Sequence, residues 1–218
     1  MIRLNERAPD FTARSTHGPI QLSSYKGRWV VLFSHPADFT PVCTSEFVGF
    51  AQHAAEFGAI NCSLVGLSVD SVYSHIAWVR DIEQKFQVQI PFPVIEDVTM
   101  QISAMYGMIQ PAESQTSTVR AAFIIDDQGI LRAMLYYPSS SGRSVPEILR
   151  LVRSIQLSDK QDVSTPEGWQ PGDPVIIGAP QTTRDAAERL AGASSKGLEC
   201  IDWYYCRKKG PSAGKKAA

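Results

Sequence analysis

The segment Trp29-Val30-Val31-Leu32-Phe33-Ser34-His35-Pro36-Ala37-Asp38-Phe39-Thr40-Pro41-Val42-Cys43 decides the reading of this chain. The run Trp29 to Ser34 is short, continuous and apolar, the pattern of a buried strand. The residues that follow Cys43, Thr44-Ser45-Glu46-Phe47-Val48-Gly49-Phe50-Ala51, open with small polar side chains and continue at helical spacing. Cys43 therefore falls at a helix start, where backbone N–H groups lack partners and the helix dipole favours negative charge. Such a place biases a thiol towards the thiolate, the form in which sulfur is a nucleophile. Thr40 puts a hydroxyl three residues before the cysteine, and prolines stand at 36 and 41.

Strand and helix patterns alternate along the rest of the chain. Ser63 to Val69 reads as a second apolar strand, after which Asp70 or Ser71 can cap a helix through Ile76, Trp78, Val79, Ile82 and Phe86. Pro93 to Ile95 suits a short strand and residues 98 to 106 a short helix. Ala121 to Ile125, the turn Asp126-Asp127-Gln128-Gly129 and Ile130 to Tyr137 read as a hairpin. Ser144-Val145-Pro146-Glu147 is a capping box with proline in the first turn, opening a helix with Ile148, Leu149, Val152 and Ile155. The hairpin makes the sheet mixed, so the fold class is α/β with a mixed central β-sheet flanked by helices. After about residue 158, Pro166, Pro171, Pro174 and Pro180 with Gly168, Gly172 and Gly178 indicate an extended arm, with a helix over Thr183 to Leu190. Residues 207 to 218 hold five basic side chains and no acid, a composition expected to be disordered. The expected division is a main domain over 1–158, a C-terminal arm over 159–206 and a basic tail over 207–218.

A length of 218 residues suits one main domain with an extension, and 44% apolar residues supply a core. The net charge of -1 gives no reason to expect a nucleic acid or anionic membrane partner. No stretch approaches the roughly 20 apolar residues of a membrane span. The opening residues Met1 to Arg7 lack the apolar segment of a secretory signal, so a soluble cytoplasmic protein is expected. Four cysteines are too few for a disulfide scaffold and read as redox, metal or core residues.

Pro36, Thr40 and Cys43 form a P-x-x-x-T-x-x-C pattern, followed by Glu46. Arg120 precedes the strand Ala121 to Ile125, and Arg143 lies in Ser141-Gly142-Arg143-Ser144. Together with Ala8-Pro9-Asp10-Phe11 and Leu22 to Gly27, these features resemble the peroxiredoxins, thiol-dependent peroxidases on a thioredoxin-like fold. The similarity runs to about residue 206. The long form with a tail looks like the one-cysteine-type subgroup, and Cys200 and Cys206 resemble the tail cysteines of archaeal thiol peroxidases.

The resemblance implies a reaction. Cys43 attacks one oxygen of hydrogen peroxide or a small organic hydroperoxide, and the other oxygen leaves. A free cysteine is only a few per cent thiolate at neutral pH. A helix start and the Arg120 guanidinium favour the charged form, and the guanidinium fork can also hold the peroxide oxygens. Thr40 can bond the peroxide and the sulfur, the Cys43 amide adds a donor, and Pro36 and Pro41 shield the thiolate. Glu46, one helical turn on, can orient an arginine, and by resemblance Arg143 belongs to that network. The product is a sulfenic acid. The resemblance favours Cys206 as the resolving residue for Cys43 of a neighbouring subunit, Cys200 as a later relay, and a thioredoxin-like dithiol as reductant. It also implies a homodimer, with a decameric ring as its assembly.

Other residues have plainer readings. Cys62 sits beside a buried strand as a core cysteine. No cofactor or metal is expected, because the C-x5-C spacing of Cys200 and Cys206 is not a zinc knuckle and no histidine lies nearby. His35 reads equally as orienting or structural. His17, His53 and His75 read as surface or helix-face residues, and Trp203, Tyr204 and Tyr205 as packing at a subunit contact. Two alternatives come with the resemblance: a redox-controlled holdase chaperone, and a phospholipid hydrolase. The second needs a nucleophilic serine in a G-x-S-x-G elbow, which Val31 to Pro36 does not contain.

Overall fold

The computed structural model describes residues 2–210. The chain divides into two compact units, Met1–Pro146 and a second from Glu147 onward. In the first unit the strands are β1 (Thr12–Ser15), β2 (Gly18–Gln21), β3 (Trp29–Ser34), β4 (Cys62–Ser68), β5 (Val94–Glu96), β6 (Arg120–Ile125) and β7 (Leu131–Tyr137). They form one sheet in the order β2-β1-β5-β4-β3-β6-β7. Helix α1 (Pro41–Ala59) carries the chain from β3 to its parallel neighbour β4, and α2 (Val72–Phe86) from β4 to parallel β5. Strand β6 lies antiparallel to β3 and turns back into β7. The sheet is mixed, as the hairpin required. The short helix α3 (Gln101–Met105) follows β5.

Every residue of β3 and β6 is buried, which is why both read as unbroken apolar runs. One face packs Val30, Leu32, Val65, Leu67, Ile95 and Phe123 against Tyr106 and Met108. The other face is aromatic. Phe33 stacks on Phe50 of α1 at 4.0 Å, and Phe47 packs on Trp78 of α2 at 4.5 Å. This layer fixes α1 against β3, and so fixes the helix start that carries Cys43. Gly66 of β4 makes the close approach possible. A Cβ there would meet the Phe47 ring at 3.2 Å and the Phe33 ring at 3.4 Å. We expect Gly66→Ala to lower stability by about 1–3 kcal/mol, the usual cost of overpacking. Thermal unfolding checks this, and an unchanged midpoint would show that the aromatic layer yields.

Several elements differ from the sequence reading. The hairpin β1–β2 was not legible in its polar, half-exposed residues; Gly18 makes its turn with φ 96°. On α2 the buried stripe is Val72, His75, Trp78 and Ile82, whereas Ile76 and Phe86 are exposed. His75 is thus a core residue and not a helix-face one. His17 is exposed and His53 half-buried, its ring bonding Gly49 O.

Helix α4 (Val145–Gln161) begins at the expected capping box and runs past residue 158 into the second unit. There the expected extended arm contains β8 (Val175–Ile177), helix α5 (Thr183–Gly192), β9 (Leu198–Asp202) and β10 (Tyr205–Lys208). The strands form a sheet in the order β8-β10-β9. Its small core is Val163, Trp169 and Val175, packed with Leu157 and Ile177. Arg207 and Lys208 belong to β10, so the ordered chain continues past 206; the expected disordered tail over residues 211–218 lies outside the described residues.

Candidate peroxide site at the start of helix α1

The site forms where β3 ends and α1 begins, outside the carboxyl end of a parallel strand. Thr40 is the N-cap residue, with φ -109° and ψ 147°, and Pro41 opens the helix. Pro41 has no N–H to lose there. The helix thus opens two residues before Cys43, which stands third in its first turn and not at its very start as the sequence pattern indicated. Thr40 makes no side-chain cap; its hydroxyl donates to Ala37 O at 2.8 Å, and its carbonyl accepts from the Thr44 amide at 3.0 Å. The expected bond from Thr40 to the sulfur is absent. With its proton committed, the Thr40 oxygen keeps acceptor capacity only. Phe39 holds a left-handed φ of 57°, reversing the chain just before the cap.

Cys43 is fully buried, and its sulfur accepts from Arg120 Nη1 at 3.2 Å. The same nitrogen donates to Glu46 Oε2 at 2.8 Å, while Arg120 Nε donates to Ser139 O at 2.9 Å. Arg120 Nη2 has no protein partner among the described residues. Arg143 grips Glu46 from the other side. Its amide and Nε donate to Oε1 at 2.7 and 2.8 Å, Nη2 donates to Oε2 at 2.8 Å, and Nη1 donates to Ala121 O at 2.6 Å. The Arg143 guanidinium lies over the Phe33 ring at 5.5 Å. Burial alone would push the Glu46 carboxyl up, but the hydrogen bonds and charge of Arg143, with the charge of Arg120, hold it below the usual carboxylate range. Arg120, Arg143 and Glu46 are all nearly inaccessible to solvent. Two guanidinium charges thus face one carboxylate in a buried volume. Uncompensated buried charge is costly, so an anion beside Arg120 is favoured at this place.

A second buried cluster lies behind the loop. His35 Nε2 is 2.8 Å from Asp38 Oδ1, and His75 Nδ1 is 2.8 Å from Asp38 Oδ2. These three are the one group of metal-type side chains that converges among the described residues. Every polar atom in it except His35 Nδ1 already has a protein partner, so we describe it as a hydrogen-bonded network. Sequence reasoning gave Asp38 no role and misplaced His75. The signal for His75 was its spacing: it falls on the stripe of Val72, Trp78 and Ile82.

The remaining sequence candidates separate cleanly. Cys62 is buried, and burial pushes its thiol up to about 12, so it stays a neutral core residue at physiological pH. Ser34 is buried, donating to Val119 O and accepting from the Ala121 amide; its hydroxyl is spent on the backbone. In the second unit Cys200 and Cys206 face each other across β9 and β10 and are joined in a disulfide, leaving Cys43 and Cys62 free.

A buried thiol at a helix start, hydrogen-bonded by an arginine on the opposing strand of a thioredoxin-like α/β fold, defines a cysteine-dependent oxidoreductase. The sequence profile of the AhpC/TSA family matches residues 4–134, and that of the C-terminal domain of 1-Cys peroxiredoxin matches residues 154–192. The chain is 52% identical to a peroxiredoxin of Aquifex aeolicus, covering 95% of this chain and 96% of that one. It is 49% identical to a peroxiredoxin of Methanosarcina mazei, covering 94% and 97%. A yeast mitochondrial 1-Cys peroxiredoxin, studied for its thiol resolving mechanism, superposes with a TM-score of 0.85 at 38% identity, covering 96% of this chain and all of that one. Peroxiredoxin 6 of Arenicola marina also superposes with a TM-score of 0.85, at 34% identity over 97% and 99%. The chain belongs to the peroxiredoxin family, and family and fold support thiol peroxidase activity. Among the described residues no helix is long and apolar enough to cross a membrane.

Proposed function

We propose that this protein reduces hydrogen peroxide and small organic hydroperoxides with Cys43 as the attacking residue. The observation that carries this is the contact from Arg120 Nη1 to the Cys43 sulfur, within a buried network whose positive charge exceeds its negative charge. The thiolate attacks one peroxide oxygen, the O–O bond breaks, and the other oxygen leaves as hydroxide or alkoxide and takes a proton. Arg120 Nη2 is free to donate to the oxygen on which charge develops, and the Cys43 amide aids it. Thr40 Oγ1 accepts a hydrogen bond from the peroxide O–H and so orients it. Pro36 and Pro41 close the site with apolar bulk, while Glu46 and Arg143 hold Arg120 in place.

The sulfenic acid on Cys43 then condenses with Cys206 of a second copy, forming a disulfide and releasing water. Cys200 attacks Cys206 in turn, freeing Cys43 and leaving the Cys200–Cys206 pair, the bonded arrangement seen here. A thioredoxin-like dithiol reduces that pair. Cys200 is half-buried and Cys206 fully buried, so Cys200 is the sulfur an external thiolate reaches first. The second copy belongs to a homodimer within a decameric ring. Ile201, Trp203 and Tyr204 are 77%, 40% and 54% exposed beside the disulfide, an apolar surface suited to a subunit contact.

The test is peroxide consumption by wild type and Cys43→Ser with a thioredoxin system, beside non-reducing gels of Cys200→Ser and Cys206→Ser after one equivalent of peroxide. Cys43→Ser should abolish turnover. A dimer-sized band linking Cys43 to Cys206 is expected to accumulate in Cys200→Ser, where the relay is missing, and to be absent in Cys206→Ser. Substantial activity in Cys43→Ser would sink the assignment, and a monomeric sulfenic acid with no disulfide would remove the resolving step.

A further inference from the structure

Three buried side chains beside the site have no part in the reaction proposed above. His75 is fully buried on α2, with Nε2 3.0 Å from Ile95 O and Nδ1 2.8 Å from Asp38 Oδ2. A backbone carbonyl only accepts hydrogen bonds, so Nε2 carries a proton. An ionised carboxylate also only accepts, so Nδ1 carries one as well. Asp38 is ionised: burial alone would push its carboxyl up, but the hydrogen bonds from His35 and His75 hold it far below the usual range. His75 is thus an imidazolium paired with a carboxylate, and the pair buries no net charge. Asp38 Oδ1 takes its other hydrogen bond from His35 Nε2. Burial keeps His35 neutral, outweighing the pull of Asp38. With its proton on Nε2, His35 keeps a bare lone pair on Nδ1, and that atom is buried without a partner. A buried polar atom left unpaired is unfavourable. The His35 ring packs edge-on against Phe47 at 4.8 Å, one turn beyond Cys43, and its main chain runs straight into Pro36.

We propose that His75 is a positioning residue for the peroxide reaction: doubly protonated, it pairs with Asp38, which fixes His35 as the Nε2–H tautomer and leaves Nδ1 a bare acceptor beside the Cys43 loop. This rests on the peroxidase reading of Cys43. A bare nitrogen can accept a hydrogen bond or a proton; an imidazolium cannot. The other charged groups near the network are Asp70 and Glu96. Asp70 accepts from the Asp38 amide and the Ser68 hydroxyl, and Glu96 is held by Arg14.

Ring nitrogens of the nitrogen-15-labelled reduced protein report protonation directly, without any turnover. At pH 7 we expect both His75 nitrogens protonated, and His35 protonated on Nε2 alone. In His75→Gln the cation is gone, so Asp38 should draw a second proton onto His35. Peroxide reduction at pH 7 should then fall by about tenfold, as when the partner of an oriented histidine is lost. It should recover as rising pH strips that proton, a limb the wild type lacks. Asp38→Asn is the second variant: there His75 should lose its second proton in the same spectra. A neutral His75 in the wild type would overturn the proposal. So would a His75→Gln enzyme whose His35 keeps a bare Nδ1, or whose rate is low at every pH. A wild type with the expected ring protonation but no peroxide consumption would remove the peroxidase reading, and with it the role of His75, while leaving the protonation itself established.

Discussion

Replacing Arg120 by methionine should slow peroxide reduction by about 10²- to 10³-fold, the usual cost of removing one donor to a developing oxyanion. Arg120 has two electrostatic tasks. Nη1 bonds the Cys43 sulfur and so favours negative charge there. In the proposed reaction Nη2, which has no protein partner among the described residues, donates to the leaving oxygen. Methionine keeps much of the length and apolar bulk of the side chain and removes both donors. Alkylation of Cys43 by iodoacetamide needs the thiolate but develops no oxyanion, so it reports the first task alone. The expected result is a large fall in peroxide rate with a smaller fall in alkylation rate. Equal falls would mean that Arg120 sets only the thiolate population. An unchanged peroxide rate would remove it from the reaction.

The halves of this site were unequally legible in the sequence. Cys43, Thr40 and Pro36 lie within eight residues where a strand gives way to a helix, and an unbroken apolar run followed by helical spacing places them together. Arg120 and Arg143 reach Glu46 across separations of 74 and 97 residues. No local rule brings them there; only the P-x-x-x-T-x-x-C resemblance did. The network of Asp38 and His75 was missed for a different reason. Ile76, Val79 and Phe86 are more apolar than His75, so the α2 stripe was drawn through them. Yet Trp78 and Ile82 share their buried face with His75 because the Asp38 carboxylate there neutralises it. A polar pair that satisfies itself is invisible to a hydrophobicity pattern. The same limit hid β8, β9 and β10. Their core is three residues with two helpers, and the prolines and glycines around them dominate the composition.

Glu46→Gln should cost about 3–5 kcal/mol at neutral pH, the range for removing one partner of a buried ion pair. The carboxylate accepts four hydrogen bonds from two guanidinium groups and an amide, and among the described residues no other carboxylate bonds these guanidinium groups, so in the proposed reaction a Cys43 thiolate is their second anion. The pH dependence has a fixed sign. The folded state holds the Glu46 carboxyl below its ordinary value of 4.5, so its contribution is fully present above that value. The contribution is lost as pH falls through the lower folded value, because the unfolded chain then binds the extra proton first. Wild type and Glu46→Gln should therefore differ most near neutrality and converge on acidification, as read from denaturant unfolding at several pH values. The thiolate makes a further demand. In Glu46→Gln it becomes the sole counter-charge for two arginines, so adding Cys43→Ser should cost more in that background than in the wild type. Strict additivity of the two substitutions would mean that the sulfur and the carboxylate do not share one charge network, and that the thiolate owes its stability to the helix start alone.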